Sequence, residues 1–257
     1  MVGYEWGAVS DRGDIRKENQ DHILCLMGEI LGTPAALFAV ADGMGGLALG
    51  AQMSHLVVLQ LLGWWGEDFQ QMVQLEKNSQ EDICDLLDQV IWDINQSALA
   101  FCAENHCRCG STLSLLLLYG EEYYIKNIGD SRVYLAHDGR LRQLTEDQSY
   151  VAQMVREKRM TEEEAKRSKK RNLLTMCIGA FEQIQAFSAE GVLEPGDVFL
   201  LCSDGLYNPL ERELMEAILV DSSGTAQETA QQLRASVRAG AAADNVSVIT
   251  VKTYTKE

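Results

Sequence analysis

Four aspartates stand where a cation could reach them. Asp21 closes the polar run Arg16-Lys17-Glu18-Asn19-Gln20-Asp21, and Asp42 follows the apolar run Leu37-Phe38-Ala39-Val40-Ala41 and precedes Gly43-Met44-Gly45-Gly46. Asp204 follows the apolar stretch Val198 to Cys202 and precedes Gly205, and Asp244-Asn245 leads into Val246-Ser247-Val248-Ile249. An aspartate at a strand end, next to glycine, lets a cation reach a carboxylate and a backbone carbonyl together. Hard cations such as Mg2+ and Mn2+ favour such oxygen ligands and keep several waters. Converging carboxylates repel one another unless a cation neutralises them. Taken singly, each is also ordinary turn or loop chemistry. The joint pattern is what points to a metal centre.

The surrounding pattern predicts the elements that must hold these residues. Short apolar runs read as strands at 37–41, 111–119, 123–128, 132–137, 141–144, 198–202 and 246–251, with Asp138-Gly139 as a hairpin turn. Ile83, Leu86, Leu87, Val90, Ile91, Ile94, Ala98 and Phe101 recur at three- and four-residue steps, which predicts one long helix over 80–104. Further helices are expected near 51–65, 146–157, 211–219 and 225–238, and Thr145-Glu146-Asp147-Gln148 reads as a capping box for the 146–157 helix. Successive hairpins with few helical crossovers between 111 and 144 argue for antiparallel sheets with helices packed outside. No domain boundary stands out, so 1–257 reads as a single domain of the α+β class.

Charge excludes several functions. The chain of 257 residues carries 22 Lys and Arg against 38 Asp and Glu, a net charge of -16. Such a surface repels nucleic acid and anionic lipid, and it repels phosphorylated substrates at long range. No apolar run reaches the ~18 residues that cross a membrane. The first residues lack the basic and apolar blocks of a signal peptide, so the seven cysteines read as free thiols in a reducing cytoplasm. Cys107-Arg108-Cys109 beside His106 hints at zinc, but no second Cys-x-x-Cys or His pair completes such a site.

The motifs together resemble the metal-dependent protein phosphatase family, the protein phosphatase 2C type, in its compact bacterial form. Ser10-Asp11-Arg12-Gly13 to Asp21 resembles its opening motif, and Ala41-Asp42-Gly43-Met44-Gly45-Gly46 its first metal motif. Gly110-Ser111-Thr112, Gly129-Asp130-Ser131-Arg132, Leu144-Thr145-Glu146-Asp147, Asn172-Leu173-Leu174-Thr175, Glu194-Pro195-Gly196-Asp197, Ser203-Asp204-Gly205-Leu206 and Asp244-Asn245-Val246-Ser247 follow in the family order. The resemblance spans nearly the whole chain. It implies a four-layer α-β-β-α sandwich of two antiparallel sheets flanked by helices, with a flap at about 145–180.

The resemblance also implies roles. Asp42 would bridge two Mn2+ or Mg2+ ions, Asp204 and Asp244 would complete one of them, and the Gly43 carbonyl would serve the other. Asp21 would orient metal-bound water, and Arg16 would bind the substrate phosphate. Asp130 would join Asp204 in a third, weaker metal site. Arg16, Asp21 and Asp42 are thus the expected catalytic residues. The expected activity is hydrolysis of phosphoserine and phosphothreonine monoesters by an activated water, without a phosphoenzyme. The partners would be phosphoprotein substrates of a serine/threonine kinase, met by a cytoplasmic monomer that binds neither nucleic acid nor membrane. A catalytically weak regulatory binding module, or a phosphatase of small phosphate esters, is the alternative. Three departures bear on this. Animal members carry His where this chain has Met44, and bacterial relatives often carry one where it has Leu47 and an acidic residue near Ala51. Animal members often carry Glu where this chain has Gln20, and they use an Asp where it has Asn208. His22, beside Asp21, matches neither His position.

Overall fold

Alternation along the central strands decides which way each layer faces. In β3 (Thr33–Met44), Leu37, Ala39 and Ala41 pack with helices, while Ala36, Phe38 and Val40 pack toward a second sheet. The same split recurs in β5 (Leu113–Tyr119), where Leu115 and Leu117 face one way and Leu116 and Leu118 the other. A sheet apolar on both faces must be covered on both, here by helices on one side and a second sheet on the other.

The computed structural model describes residues 2–45, 48–69, 80–221, 223–237 and 243–256. One sheet has the order β1-β11-β10-β7-β8, built from β1 (Val2–Asp11), β7 (Arg132–His137), β8 (Arg140–Gln143), β10 (Val198–Cys202) and β11 (Val246–Thr255). The other has the order β2-β3-β5-β6-β9, adding β2 (Asp21–Ile30), β6 (Glu122–Ile128) and β9 (Phe187–Val192), with the short β4 (Gly110–Ser111) paired to β3. The pairings are antiparallel. Phe38, Leu116, Ile125, Phe199, Leu201, Ile249 and Val251 fill the space between the sheets. Helices α1 (Ala48–Gly63) and α2 (Gln80–Glu104) cover the second sheet. Helices α6 (Arg212–Val220) and α7 (Ala226–Ser236) cover the first. The expected α+β sandwich is the observed fold. No described helix is long and apolar enough to cross a membrane.

Most expected elements appear within a few residues of their predicted limits, and α2 covers 80–104. The Asp138-Gly139 turn has φ of 49° and 74°, the left-handed pair that matches the twist of the β7–β8 hairpin. One expectation fails. The helix expected from 146 is α3 (Tyr150–Arg156), and its cap is Ser149, whose side chain accepts from the Ala152 amide. Thr145 instead accepts from the Val133 amide, and the Gln148 side-chain oxygen accepts from the Gly129 amide. Tertiary partners therefore claim the side chains that would have capped. True capping boxes open α4 (Glu162–Arg167), with Thr161 and Glu164, and α7, with Thr225 and Glu228. Three strands escaped the pattern: β1, β2 and β9. Their faces are only half-buried, and polar residues interrupt their apolar runs.

Phe38 is fully buried between the sheets and stands on the strand that carries Asp42. Phe38→Ala should cost about 3–5 kcal/mol, the usual range for truncating a core aromatic. Urea unfolding checks it; a shift below ~1 kcal/mol would mean that the sandwich interior is not packed as described.

Candidate metal centre

The antiparallel register puts the predicted acids at one end of the sandwich. Asp21 opens β2 and Asp42 lies near the end of β3, and the two are direct cross-strand partners. Asp204 begins the short helix α5 (Asp204–Tyr207) just past β10, and Asp244 stands just before β11. Asp130 lies in the connection from β6 to β7. Strand geometry alone therefore gathers residues more than 200 positions apart.

Backbone packing holds the ring in place. The Gly43 amide donates to the Gln20 carbonyl (3.0 Å), and a Cβ at Gly43 would lie 2.0 Å from the Gly50 carbonyl oxygen. Only glycine allows α1 to pass so close. The Asp42 amide donates to Thr112 Oγ1 (3.0 Å), and the Asp42 carbonyl accepts from the Thr112 amide (2.9 Å). At Gly205 a Cβ would lie 2.0 Å from the Asn245 carbonyl oxygen, so the Asp204 and Asp244 loops also touch through backbone.

Side-chain contacts orient each carboxylate differently. The Ser203 hydroxyl donates to Asp21 Oδ2 (2.7 Å) and accepts from the Ser247 amide (3.0 Å). Arg16 Nη2 donates to Asp244 Oδ2 at 2.7 Å, with nearly half of the Arg16 side chain exposed. Asn208 Nδ2 donates to Asp204 Oδ2 (3.1 Å). The cluster is open: among the described residues, no three of these carboxylates bring oxygens within 4.8 Å of one another.

Electrostatics shows that the acids sense one another. Burial, then Asp21, Asp204, Asp130 and Asp244, push the Asp42 carboxyl well above its ordinary range. Burial lifts Asp21 and Asp130 each to about 6. Burial, then Asp130, Asp244 and Asp21, lift Asp204 to about 8, although Arg16 opposes this. Asp21 Oδ1 and Asp204 Oδ1 are buried and accept no hydrogen bond. A buried anionic oxygen without a donor is costly. An all-oxygen set with two unpartnered buried atoms and suppressed ionisation fits a hard divalent cation.

Sequence reasoning missed two organising residues. Asn245 is buried; its side-chain oxygen accepts from the Gln20 amide, and its amide nitrogen donates to the Arg12 and Glu18 carbonyls. It thereby staples the loop that carries Arg16. Ser203, which the sequence shows only as the residue before Asp204, positions Asp21. The Asp-Asn step into β11 was the one available signal for Asn245. His22 turns to α1, where Nδ1 lies 2.9 Å from Ser54 Oγ and its ring packs on His55. Met44 pairs with Gly110 on β4. Leu47 lies outside the described residues.

These features define a class: a four-layer α-β-β-α sandwich with an acidic centre where the strands of both sheets end. The chain belongs to the protein phosphatase 2C family, whose model matches residues 17–239. The serine/threonine protein phosphatase PstP of Mycobacterium tuberculosis is 32% identical over 250 residues, covering 95% of this chain and 44% of that protein. The chain thus spans less than half the length of that relative. A putative protein phosphatase 2C-type of Streptococcus pyogenes is 32% identical over 244 residues, covering 94% of each chain. The crystal structure of the M. tuberculosis phosphatase matches with a TM-score of 0.83 at 30% identity, over 99% of this chain and 100% of that one. The PstP catalytic domain in complex with 2 manganese ions matches with a TM-score of 0.83 at 29% identity, over the same shares of the two chains.

The raised acidities carry a stability signature. Asp204 ionises at about 8 in the fold, against its ordinary 3.8. Between those values the folded chain holds more protons than the unfolded one, so stability falls as pH rises. In chelator, Tm should decline from about pH 4 to about pH 8, the window set by Asp21, Asp130 and Asp204. Asp204→Asn should flatten that decline, and excess Mn2+ should restore the wild type most at the alkaline end. A wild-type Tm that climbs through this window in chelator would contradict the cluster.

Proposed function

We propose that this chain is a metal-dependent serine/threonine phosphoprotein phosphatase acting through the acidic centre. The observation that carries the reading is the meeting of Asp21, Asp42, Asp204 and Asp244 at one end of a phosphatase 2C sandwich, with two buried oxygens unpartnered. Asp42, the Gly43 carbonyl, Asp204 and Asp244 would hold two Mn2+ or Mg2+ ions, with Asp130 and Asp204 offering a third, weaker position. When bound, the ions supply a water made acidic enough to attack phosphorus and neutralise charge on the phosphoryl oxygens.

The chain's own residues do the rest. Asp21, held by Ser203, presents its unpartnered Oδ1 to the centre as a hydrogen-bond acceptor for the attacking water. Arg16 offers a planar fork to phosphate; its present partner is the Asp244 carboxylate, an oxyanion of similar demand. Gln20 and Asn208 bring neutral amides where animal members carry carboxylates, which leaves the centre less negative. The motifs span the chain and β1 pairs with β11, which supports 1–257 as one phosphatase domain. The centre is assembled within one chain, which supports a monomer. Seven free cysteines support a reducing, cytoplasmic setting.

A groove of about 770 Å³ runs from Asp130 and Asp204 to the flap, where Arg156, Lys166 and Arg171 line it. From 156 to 171 the chain carries eight basic and four acidic residues, within a protein of net charge -16. The flap therefore offsets the long-range repulsion of a phosphoprotein beside the centre.

Mn2+-dependent phosphate release from a phosphothreonine peptide tests the activity. Asp42→Asn should lower kcat by on the order of 10²–10³, as loss of a preorganised electrostatic group does. Its metal-free stability should not fall, because a repelling charge has been removed. Full turnover in excess chelator, or in that variant, would sink the proposal.

Replacing Lys166, Arg167 and Lys169 with Ser should raise KM for a phosphoprotein and flatten its salt dependence. p-Nitrophenyl phosphate turnover should stay near wild type. Equal losses on both substrates would assign the flap to catalysis or folding instead of docking.

A further inference from the structure

Between Asp42 and Asp130 in the chain, the end of α2 gathers sulfur. Cys102 sits in its last turn. The Cys107 amide donates to the Cys102 carbonyl (3.0 Å), the His106 amide donates to the Ala103 carbonyl (3.3 Å), and His106 adopts a φ of 49°. This is a left-handed helix cap, which presses the residue just beyond it against the side chain in the last turn. Here both of those residues are cysteines. Arg108 then carries the chain back, and Cys109 completes the group. Cys109 Sγ lies 3.5 Å from Cys102 Sγ and 3.7 Å from Cys107 Sγ. All three sulfurs lie within 4.8 Å of one another, the one such group of Cys, His, Asp or Glu ligands among the described residues.

The spacing is that of a metal shell. Zinc–thiolate bonds of about 2.3 Å set two sulfurs on a tetrahedral ion about 3.8 Å apart. Cys109 is buried while Cys102 and Cys107 are half-buried, so the group is walled on one side and reachable from the other. Soft thiolates select Zn2+ and related ions over the hard cations that suit carboxylates.

We propose that Cys102, Cys107 and Cys109 form a three-thiolate site for a thiophilic divalent cation of the Zn2+ type, with water in the fourth position. It is separate in chemistry from the carboxylate centre but joined to it through β4. Cys109 precedes Gly110 and Ser111, which pair with Met44 and Gly43, and the Ser111 hydroxyl donates to the Asp42 carbonyl (3.2 Å). A Cβ at Gly45 would lie 2.7 Å from the Cys109 Cβ. An ion here clamps the end of α2 to the strand that supports Asp42.

The test uses the full chain, reduced and stripped of metal, in excess Mg2+ so that the oxygen centre is filled by a hard ion. Titration with Cd2+ should raise a thiolate-to-metal charge-transfer band that saturates at one equivalent. Native mass spectrometry should show one Zn2+ per chain, and Zn2+ should shield these three thiols from alkylation while Cys25 reacts as before. Zn2+ should also raise Tm. Cys102→Ser and Cys107→Ser should lose the band and the Tm rise, whereas Cys25→Ser should keep both. The site is refuted if wild-type protein shows no band and no protection, or if both variants keep the band. It is equally refuted if the thiols stay closed to alkylation without metal and the mass is two hydrogens low, the mark of a disulfide. The alkylation pattern decides the matter even where a serine variant folds poorly.

Discussion

Negative charge held against its own repulsion governs this end of the molecule. Asp21, Asp42, Asp130 and Asp204 all hold their protons above the ordinary carboxylate range, because burial and neighbouring acids disfavour the charged form. Such an arrangement persists only where the scaffold is stiff enough to overrule it. Two sheets packed face to face provide that stiffness, with Phe38 and Phe199 filling the interior behind the centre. Gly43 and Gly205 let neighbouring backbone approach to where a side chain would collide.

Small polar residues convert the scaffold into orientation. Ser203 links Asp21 to β11, Thr112 links Asp42 to the start of β5, and Asn245 ties the Arg16 loop to the loop of Asp244. Arg132 makes a similar anchor further out. It donates to both Asp147 oxygens (2.9 and 2.6 Å) and lies 3.6 Å from the centre of the Tyr207 ring. That anchor joins β7 to the root of the flap and to α5, on which Asp204 sits. The groove floor, the flap and Asp204 are therefore mechanically connected.

Two donor chemistries approach the end of β3. Hard oxygens gather where strands end, and soft sulfurs gather where α2 ends. Their separation follows from local structure. Strand ends leave carboxylates pointing out of the sheet, whereas a left-handed helix cap folds side chains back on one another. β4, two residues long, links them: Cys109 precedes it in the chain, and its Ser111 hydroxyl donates to the Asp42 carbonyl.

Much of this was legible in the sequence. The stripe at Ile83 to Phe101 predicted α2, the apolar runs predicted the central strands, and the Asp-Gly and Asp-Asn steps marked Asp42, Asp204 and Asp244. These signals are local: a helix face or a strand end is written within a few neighbours. What the residues meet is not local. Thr145 looked like a cap but serves the Val133 amide, because a partner across the sheet competes for its hydroxyl. Cys107-Arg108-Cys109 looked incomplete, because its third thiol, Cys102, comes from the preceding helix turn. The pattern of residue types was thus enough to single out the aspartates and the elements on which they stand. Antiparallel register and helix capping alone decided which of them meet, since contact between distant residues depends on packing that no short stretch of chain encodes.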